Sequence, residues 1–498
     1  MGRHPWHTGV VHPTISEDDD GDGRPSLAGR IALVTGPLAG TALAIIAHPD
    51  GGGWAGLSSE GALTLGLLVW MAMWWMLEAA PMPVTALLPV ILLPLVGVGS
   101  FRENACHYAD SVIFLFAGGG VMALALERHG LTERFARGLL RLAGRSPARV
   151  VIGVFVGTAI ASAFMSNAAV VSMMIPIVSG LAVSLRPRPG VDAEVARRSG
   201  AAFVTVTMLV VAYAATVGGT ATVIGSPPNA IAAKWLADSG MAVDFVRWAR
   251  FSTPLACVMG GATLLVLLRL FPMGGVDCNV PDAQRARLGA PAWITLGVLL
   301  AVIVCWITPP TWNAPWRPTL LADGVIALIG AALLLSVPTS VRTWAPSLPW
   351  SATRRLPWGI YVLFGGGLSL ADAMQRSGLS QAIGDSFTGL GGVHAFITLA
   401  AIVAAMVFAS EIASNTALTA TAVPIVGALA PALGLPAERL VIAVALGASM
   451  AFMMPVGTPP NALVYATGRV AQRDMVRAGL ILNFVSITLI TVFAHTWL

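Results

Sequence analysis

Charged residues are scarce in this chain. Asp, Glu, Lys and Arg make up 11% of its 498 residues, whereas 56% are hydrophobic. A soluble domain carries about 25% charged residues. The composition therefore excludes an ordinary soluble protein and indicates an all-α polytopic membrane protein, with the lipid bilayer as its first partner. The formal net charge of +5 comes from arginines between the apolar segments, so we predict no nucleic-acid partner.

Cysteine and catalytic motifs are also scarce. The four cysteines, Cys106, Cys257, Cys278 and Cys305, show no C-x-x-C spacing, so neither a disulfide framework nor a zinc site is predicted. The chain contains no Walker loop, no G-x-S-x-G and no H-E-x-x-H. We therefore predict that the protein is not an enzyme and uses no organic cofactor.

Apolar segments dominate the chain after a polar start. Residues 1–29 lack the basic-then-apolar order of a signal peptide and predict a disordered cytosolic tail. Apolar segments of about 20 residues, the length of a membrane span, predict about eleven transmembrane helices. Two further segments, 150–185 and 393–432, are too long for one crossing and carry polar residues in their middle.

A pair of motifs occurs twice in the same order. Ser166-Asn167-Ala168 is followed by the segment 225–229, Gly-Ser-Pro-Pro-Asn. Ser414-Asn415-Thr416 is followed by the segment 457–461, Gly-Thr-Pro-Pro-Asn. The offsets are 248 (414 − 166) and 232 (457 − 225), so each copy lies at a matching place in its own half. This recurrence predicts one site assembled from two repeats.

The motifs predict interrupted backbone inside the membrane. Segments 150–185 and 393–432 are predicted to be re-entrant hairpins, because non-helical backbone at membrane depth must be buried in protein or line a wet cavity. The paired prolines remove amide donors, which predicts broken helices over 200–235 and 438–468. Broken helices at corresponding places in two halves indicate a transporter binding site.

The arginines indicate that the two halves have opposite orientation. The segment after the glycines at 118–120 carries six of them: Arg128, Arg134, Arg137, Arg141, Arg145 and Arg149. The equivalent segment, 372–392, carries only Arg376. Because cytoplasmic loops are enriched in Lys and Arg, the first segment is predicted to be cytoplasmic and the second external.

Equivalent loops on opposite faces predict two inverted repeats, 61–272 and 290–498. A leading transmembrane helix and loop occupies 30–60, and a cytoplasmic linker occupies 273–289. The amino terminus is then cytoplasmic and the carboxyl terminus external. The same membrane topology places Glu78 and Arg355 on the cytoplasmic side.

The predicted core has almost no charge. Segments 153–185, 201–233 and 440–468 contain no charged residue, and 395–432 contains only Glu411. A charged ligand at the midplane must be neutralised, and only hydroxyl, carboxamide and carbonyl oxygens are present to hold a cation such as Na⁺. Half-helix N-termini favour an oxyanion. This combination favours cation-coupled symport and leaves cation-only transport open.

Glu411 has no acidic counterpart in the first half. The equivalent position is Ala163 (411 − 248). We therefore assign Glu411 a hydrogen-bonded structural role in preference to that of a proton carrier.

At these residues, together with the proline-flanked segment 83–89, the chain resembles the divalent anion/sodium symporter family, the dicarboxylate transporters often called INDY. The resemblance covers about 60 to 498. It implies a homodimer in the bacterial inner membrane. It also implies an elevator-type transporter, in which a region holding both hairpins and both broken helices moves against a scaffold.

The resemblance also implies binding residues. One Na⁺ site would use Ser162, Ser166, Asn167 and Gly225, and the other Ser410, Ala413, Asn415 and Gly457. The substrate site would comprise Asn167, Ala168, Ser226, Pro227, Asn415, Thr416, Thr458 and Pro459. The family's first motif usually ends in threonine, so Ala168 removes one hydroxyl. A missing hydrogen bond to a charged group is worth about 1.5–3 kcal/mol.

Three functions fit the sequence to different degrees. The leading hypothesis is Na⁺-coupled symport of small di- or tricarboxylates such as succinate, malate or fumarate. A Na⁺-independent dicarboxylate exchanger would need fixed positive charge in the core. An arsenite or Na⁺/H⁺ antiporter of related architecture would need intramembrane carboxylates, of which only Glu411 is present.

Overall fold

The computed structural model describes residues 27–49, 57–241, 243–278, 288–308, 323–339, 344–386 and 394–497. Most of the predicted tail and the centre of the predicted linker, 279–287, lie outside these residues, as does residue 393 at the start of the second predicted hairpin. The described part of the chain is mostly helical, with one short two-stranded sheet.

The helices of the first half end before the predicted linker. They are α1 Leu27–Ala47, α2 Ser59–Met76, α3 Met82–Ala86, α4 Leu88–Leu95, α5 Phe101–Ala105, α6 Ser111–Arg128, α7 Leu131–Ala143, α8 Pro147–Ser162, α9 Asn167–Val183, α10 Ala193–Gly219, α11 Pro227–Asp238 and α12 Phe245–Leu270. Short 3₁₀ turns cover Cys106–Ala109 and Val223–Gly225.

The helices of the second half follow the linker. They are α13 Ala290–Ile307, α14 Asp323–Ser336, α15 Trp358–Arg376, α16 Leu379–Ser386, α17 Ala395–Ala409, α18 Asn415–Leu429, α19 Ala437–Ser449, α20 Pro459–Ala466 and α21 Gln472–Trp497. A 3₁₀ turn covers Trp350–Arg355. The strands β1, Leu185–Pro187, and β2, Val276–Cys278, pair antiparallel, with Leu185 opposite Cys278.

Six helical segments in the described residues are long and apolar enough to cross a membrane alone. They are Leu27–Ala47, Phe101–Arg128, Ala193–Gly219, Phe245–Leu270, Ala290–Ile307 and Gln472–Trp497. The prediction of about eleven crossings stays a prediction. The apolar stretch 82–99, long enough for one membrane span, consists of the two short helices α3 and α4. Pro89 in the first turn of α4 has no amide to continue the preceding helix.

The same order of elements occurs in both halves. A glycine-rich helix (α6 or α15) is followed by a second helix and then by two helices joined at the Ser-Asn motif. An interrupted helix and a long final helix complete the order. The halves interlock, because α11 packs on α18 and α19 while α20 packs on α9 and α10. This packing brings both motifs of each half to the centre of the molecule.

The first arms of the interrupted helices form the middle of the core. Every residue from 206 to 220 and from 440 to 452 is buried. These stretches contain no charged residue, so their burial leaves no ionised side chain without a partner. They hold the two breaks in a fixed position.

Glycines allow close helix packing around this core. A Cβ atom on Gly118 would lie 2.5 Å from the backbone carbon of Ala327 in α14, which is too close for a methyl group. The next residue, Gly119, has more space, with Ile224 Cδ1 as its nearest neighbour at 3.8 Å. Neighbouring glycines of one triplet therefore have different steric requirements.

We expect Gly118→Ala to destabilise the protein and Gly119→Ala to leave its stability nearly unchanged. Overpacking against backbone costs about 1–3 kcal/mol, so the thermal midpoint of purified Gly118→Ala should fall by several degrees. Equal midpoints for the two variants, measured in the same detergent, would show that the α6–α14 approach is not as described.

Candidate functional site

The two Ser-Asn motifs lie at the turns between paired helices. Ser166 precedes α9, and its Oγ accepts a hydrogen bond of 3.3 Å from the amide of Ala169. Ser414 holds the same position before α18, with extended backbone and no side-chain cap. Asn167 and Asn415 are the first residues of these helices. Each turn therefore presents a helix N-terminus and a carboxamide to the same region.

The second motifs lie at the breaks of the interrupted helices. Helix α10 ends at Gly219 and α11 begins at Pro227, whereas α19 ends at Ser449 and α20 begins at Pro459. Proline is suited to the first helical position because its missing amide has no intrahelical partner there. The breaks expose backbone carbonyl groups at the centre of the protein.

The asparagine that ends each second motif closes its break. Asn229 Nδ2 donates to the carbonyl oxygens of Gly219 at 2.9 Å and Thr222 at 2.7 Å. Asn461 Nδ2 donates to those of Ala451 and Met454, both at 3.1 Å. Each partner in the second half lies 232 residues after its equivalent, as 451 − 219 and 454 − 222 show. This role was not predicted, although the asparagine recurs in both copies of the motif.

The two turns and the two breaks meet around one cavity of about 1160 Å³. All eight residues predicted for the substrate line it: Asn167, Ala168, Ser226, Pro227, Asn415, Thr416, Thr458 and Pro459. Of the residues predicted for Na⁺, the cavity is lined by Ser166, Asn167, Gly225, Ala413, Asn415 and Gly457. Ser162 and Ser410 are fully buried behind the turns. These placements agree with the predicted geometry, while the binding roles stay predictions.

Oxygen atoms converge behind the first turn. Ser162 Oγ lies 2.6 Å from Asn167 Oδ1 and donates to Ala215 O at 2.8 Å. Asn167 Oδ1 also lies 3.2 Å from Ala215 O and 3.3 Å from Gly225 O. Ser162 Oγ, Ala215 O and Gly225 O therefore surround one end of the Asn167 amide.

The orientation of the Asn167 amide explains this cluster. Turned over, its nitrogen donates to Ala215 O, Gly225 O and Ser162 Oγ, and both ends of the amide are satisfied without a cation. A Cβ atom on Gly225 would lie 2.5 Å from Gly219 O and 3.0 Å from Ser162 O. Several carbonyl oxygens therefore crowd this point in either orientation.

The equivalent region behind the second turn has a similar plan. Ser410 Oγ donates to Val407 O at 2.8 Å. Asn415 Oδ1 is buried and has no hydrogen-bond partner among the described residues. An unpaired buried acceptor costs about 1–3 kcal/mol, so this oxygen is available to a ligand. A Cβ atom on Gly457 would lie 3.2 Å from the carbonyl oxygen of Glu411.

Some walls of the cavity are formed by residues that were not predicted for the site. Phe116, Gly119 and Gly120 of α6 and Tyr361 of α15 line it. The glycines at 118–120 are the available signal for this wall in the sequence. Gly119 lines the cavity, and a Cβ atom at this position would have no neighbour closer than 3.8 Å.

Charged residues occur only at the rim of the cavity, within the described lining. Glu78, Glu127 and Arg355 form this rim. Arg355 Nη2 lies 2.6 Å from Glu127 Oε1, so the basic group is paired. The part of the lining formed by the turns and breaks contains neutral groups alone.

Known proteins resemble the chain over almost its whole length. Residues 38–498 match the family described as the sodium:sulfate symporter transmembrane region. The "Sodium-dependent dicarboxylate transporter SdcS" of Staphylococcus aureus strain bovine RF122 / ET3-1 is 32% identical over 484 residues, covering 95% of this chain and 92% of that relative. The protein of the same name from strain USA300 is 31% identical, with the same coverage.

A solved structure shows the same fold class. The Alcanivorax borkumensis YdaH transporter matches with a TM-score of 0.56 and 17% identity, covering 82% of this chain and 89% of that chain. The family and these relatives are transporters and not enzymes, and the apolar helices identify an integral membrane protein. On the family match and the sequence identity, the chain belongs to the divalent anion/sodium symporter family.

Proposed function

We propose that the protein carries out Na⁺-coupled symport of a small di- or tricarboxylate of the succinate, malate or fumarate class. The observation that supports this most is the cavity between the two turns and the two breaks, whose inner lining has no charged group. An anion bound there needs accompanying cations. Both Staphylococcus aureus relatives are named as sodium-dependent dicarboxylate transporters.

The cations would occupy the oxygen clusters behind the two turns. The first site would comprise Ser162, Ser166, Asn167 and Gly225. The second would comprise Ser410, Ala413, Asn415 and Gly457. The carbonyl oxygens of Gly219 and Ser162 that crowd Gly225, and the unpaired Asn415 Oδ1, support this assignment. Neutral oxygens suit Na⁺, because they supply dipoles without a competing positive charge.

The anion would lie between the N-termini of α9 and α18. Free amide groups and the helix dipoles favour carboxylate oxygens there. Asn167 and Asn415 present their carboxamides from opposite sides, and Thr416 and Thr458 add hydroxyl groups on the second-half side. Ala168 faces the same cavity without a hydroxyl. The binding site is therefore asymmetric in its hydrogen-bonding capacity.

We further propose that the two halves are inverted repeats and that the region of the turns and breaks moves as an elevator in a homodimer. The rim residues Glu78 and Arg355 were predicted to be cytoplasmic, so the cavity opens toward the cytoplasm in this state. The amino terminus would be cytoplasmic and the carboxyl terminus external, in a bacterial inner membrane.

An ion pair lies on the side of the cavity away from the rim residues Glu78 and Arg355. Lys234 of α11, the only lysine in the chain, lies 3.0 Å from Asp110 at the start of α6. It also pairs with Asp238. The Lys234 and Asp110 side chains are 14% and 16% exposed. Helix α11 belongs to the proposed moving region, whereas α6 packs on α14. The pair would hold the outer side closed.

Uptake into proteoliposomes tests the coupling. We expect labelled succinate to accumulate under an inward Na⁺ gradient and uptake to collapse when choline replaces Na⁺, because no fixed positive charge lines the inner cavity. Protein-free liposomes give the background. Undiminished uptake in choline, or counterflow in Na⁺-free vesicles, would support the Na⁺-independent exchanger.

Restoring the missing hydroxyl tests the substrate site. We expect Ala168→Thr to lower the KM for succinate by about ten-fold, because one hydrogen bond to a carboxylate is worth about 1.5–3 kcal/mol. The mirrored change, Thr416→Ala, should raise the KM by a similar factor. If neither change alters the KM at saturating Na⁺, the anion does not lie between these two positions.

Accessibility of the cavity tests the outer ion pair. In a background without native cysteines, Ala168→Cys should react with an impermeant maleimide from the cytoplasmic side. Adding Lys234→Met should raise labelling from the external side roughly five-fold, the equivalent of ~1 kcal/mol for a partly buried ion pair.

A second ion pair provides the matched control. Arg247 of α12 pairs with Glu438 of α19 at 2.8 Å, and both helices pack within the proposed moving region. Arg247→Met should leave the labelling ratio unchanged. If Lys234→Met also leaves it unchanged, the Lys234–Asp110 pair does not stabilise the closed outer side.

A further inference from the structure

The two oxygen clusters behind the turns differ in one ionisable group. Ser162 is followed by Ala163, whereas the equivalent Ser410 is followed by Glu411 at the same offset of 248. Glu411 is 4% exposed and Ala163 is 7% exposed. The first cluster therefore has a methyl group where the second has a buried carboxyl group.

Hydrogen bonds surround the Glu411 carboxylate. Its Oε1 accepts from the amides of Phe452 at 2.8 Å and Met453 at 2.9 Å, and from Asn483 Nδ2 at 2.7 Å. Its Oε2 accepts from the amides of Met453 at 3.1 Å and Met454 at 2.9 Å. Every hydrogen-bond partner of these oxygens within the described residues is a donor. This environment holds a carboxylate ion, which can only accept.

These amides belong to the break between α19 and α20. The carbonyl oxygen of Met454 accepts from the amide of Gly457 at 3.2 Å and from Asn461 Nδ2. Glu411 Oε2 lies 3.2 Å from the point where a Cβ atom on Gly457 would lie. The carboxylate thus fixes the backbone that leads to Gly457 and lies beside the second cluster.

In the first half, a neutral group makes the contact that is equivalent to the one between Glu411 and Met454. Thr222, the counterpart of Met454, donates its hydroxyl to the carbonyl oxygen of Ala163. Tyr213, which packs against Phe452 near Glu411, donates its hydroxyl to Phe452 O at 2.8 Å. Neither hydroxyl supplies a compensating positive charge. A buried negative charge acts strongly on a nearby cation because screening is weak there.

We infer that Glu411 makes the two cation sites unequal, so that the second site binds Na⁺ more tightly and fills at lower Na⁺ concentration than the first. This inference rests on the Na⁺-coupled function proposed above. Glu411 acts here as a positioning residue, through the backbone of the break and through its charge. The neutral first site would fill at higher Na⁺ concentration.

Replacing the charge while retaining the size of the side chain tests the inference. We expect Glu411→Gln to raise the Na⁺ concentration for half-maximal succinate uptake about ten-fold, equivalent to about 1.4 kcal/mol. The maximal rate at saturating Na⁺ should stay within about three-fold of wild type, because removal of binding energy alone raises the half-saturation without lowering turnover. A fold defect alone would lower the maximal rate and leave the half-saturation unchanged.

A charge swap provides the rescue. Adding Asn483→Asp to Glu411→Gln returns a carboxylate to a hydrogen-bonding neighbour and should recover most of the lost Na⁺ affinity. Glu438→Gln removes a carboxylate from the far end of α19 and should leave the Na⁺ dependence unchanged. Equal half-saturation for wild type and Glu411→Gln would overturn the inference.

Wild-type protein gives a second test that does not require the Glu411 variant to fold. Thermal stabilisation by Na⁺ should occur in two steps. Ser410→Ala should remove the step at lower Na⁺ concentration, and Ser162→Ala the step at higher concentration. The reverse assignment would overturn the inference. Absence of any Na⁺-dependent uptake by wild type would instead reject the proposed function, so the two failures are distinguishable.

Discussion

The need to satisfy backbone groups at two helix breaks governs this structure. Within a membrane an unpaired amide or carbonyl group is costly, yet α10 and α19 both stop in the middle of the protein. Asn229 and Asn461 solve the problem in the same way, each by donating two hydrogen bonds across its break. Glu411 adds a carboxylate to the second break only. The site is therefore symmetric in its backbone and asymmetric in its charge.

This arrangement explains how a site without basic side chains can serve an anion. Carbonyl and carboxamide oxygens gather behind the turns, and the N-termini of α9 and α18 face the cavity in front of them. Cations and anion would then occupy adjacent places, each reducing the cost of the other. Coupling in this account follows from electrostatic neutralisation and needs no titrating residue at the centre.

The sequence was sufficient to place the turns and breaks, because serine-asparagine and paired-proline motifs impose local backbone requirements that do not depend on distant contacts. It did not predict the Asn229 and Asn461 clamps, which depend on how each chain segment folds back on itself. The contributions of Tyr361 and Phe116 to the cavity wall, and the Arg355–Glu127 pair at its rim, depend on packing between α6 and α15. Hydropathy alone does not separate α3 from α4, because it does not register the amide missing at Pro89.

The central claim is that the anion and Na⁺ stabilise each other inside one cavity. Equilibrium binding of labelled succinate to the purified protein, measured over a range of Na⁺ concentrations and paired with Na⁺ binding with and without succinate, tests it most directly. The account predicts that each ligand raises the affinity for the other by the same factor, as thermodynamic linkage requires. Succinate binding of equal affinity in Na⁺ and in choline would contradict it.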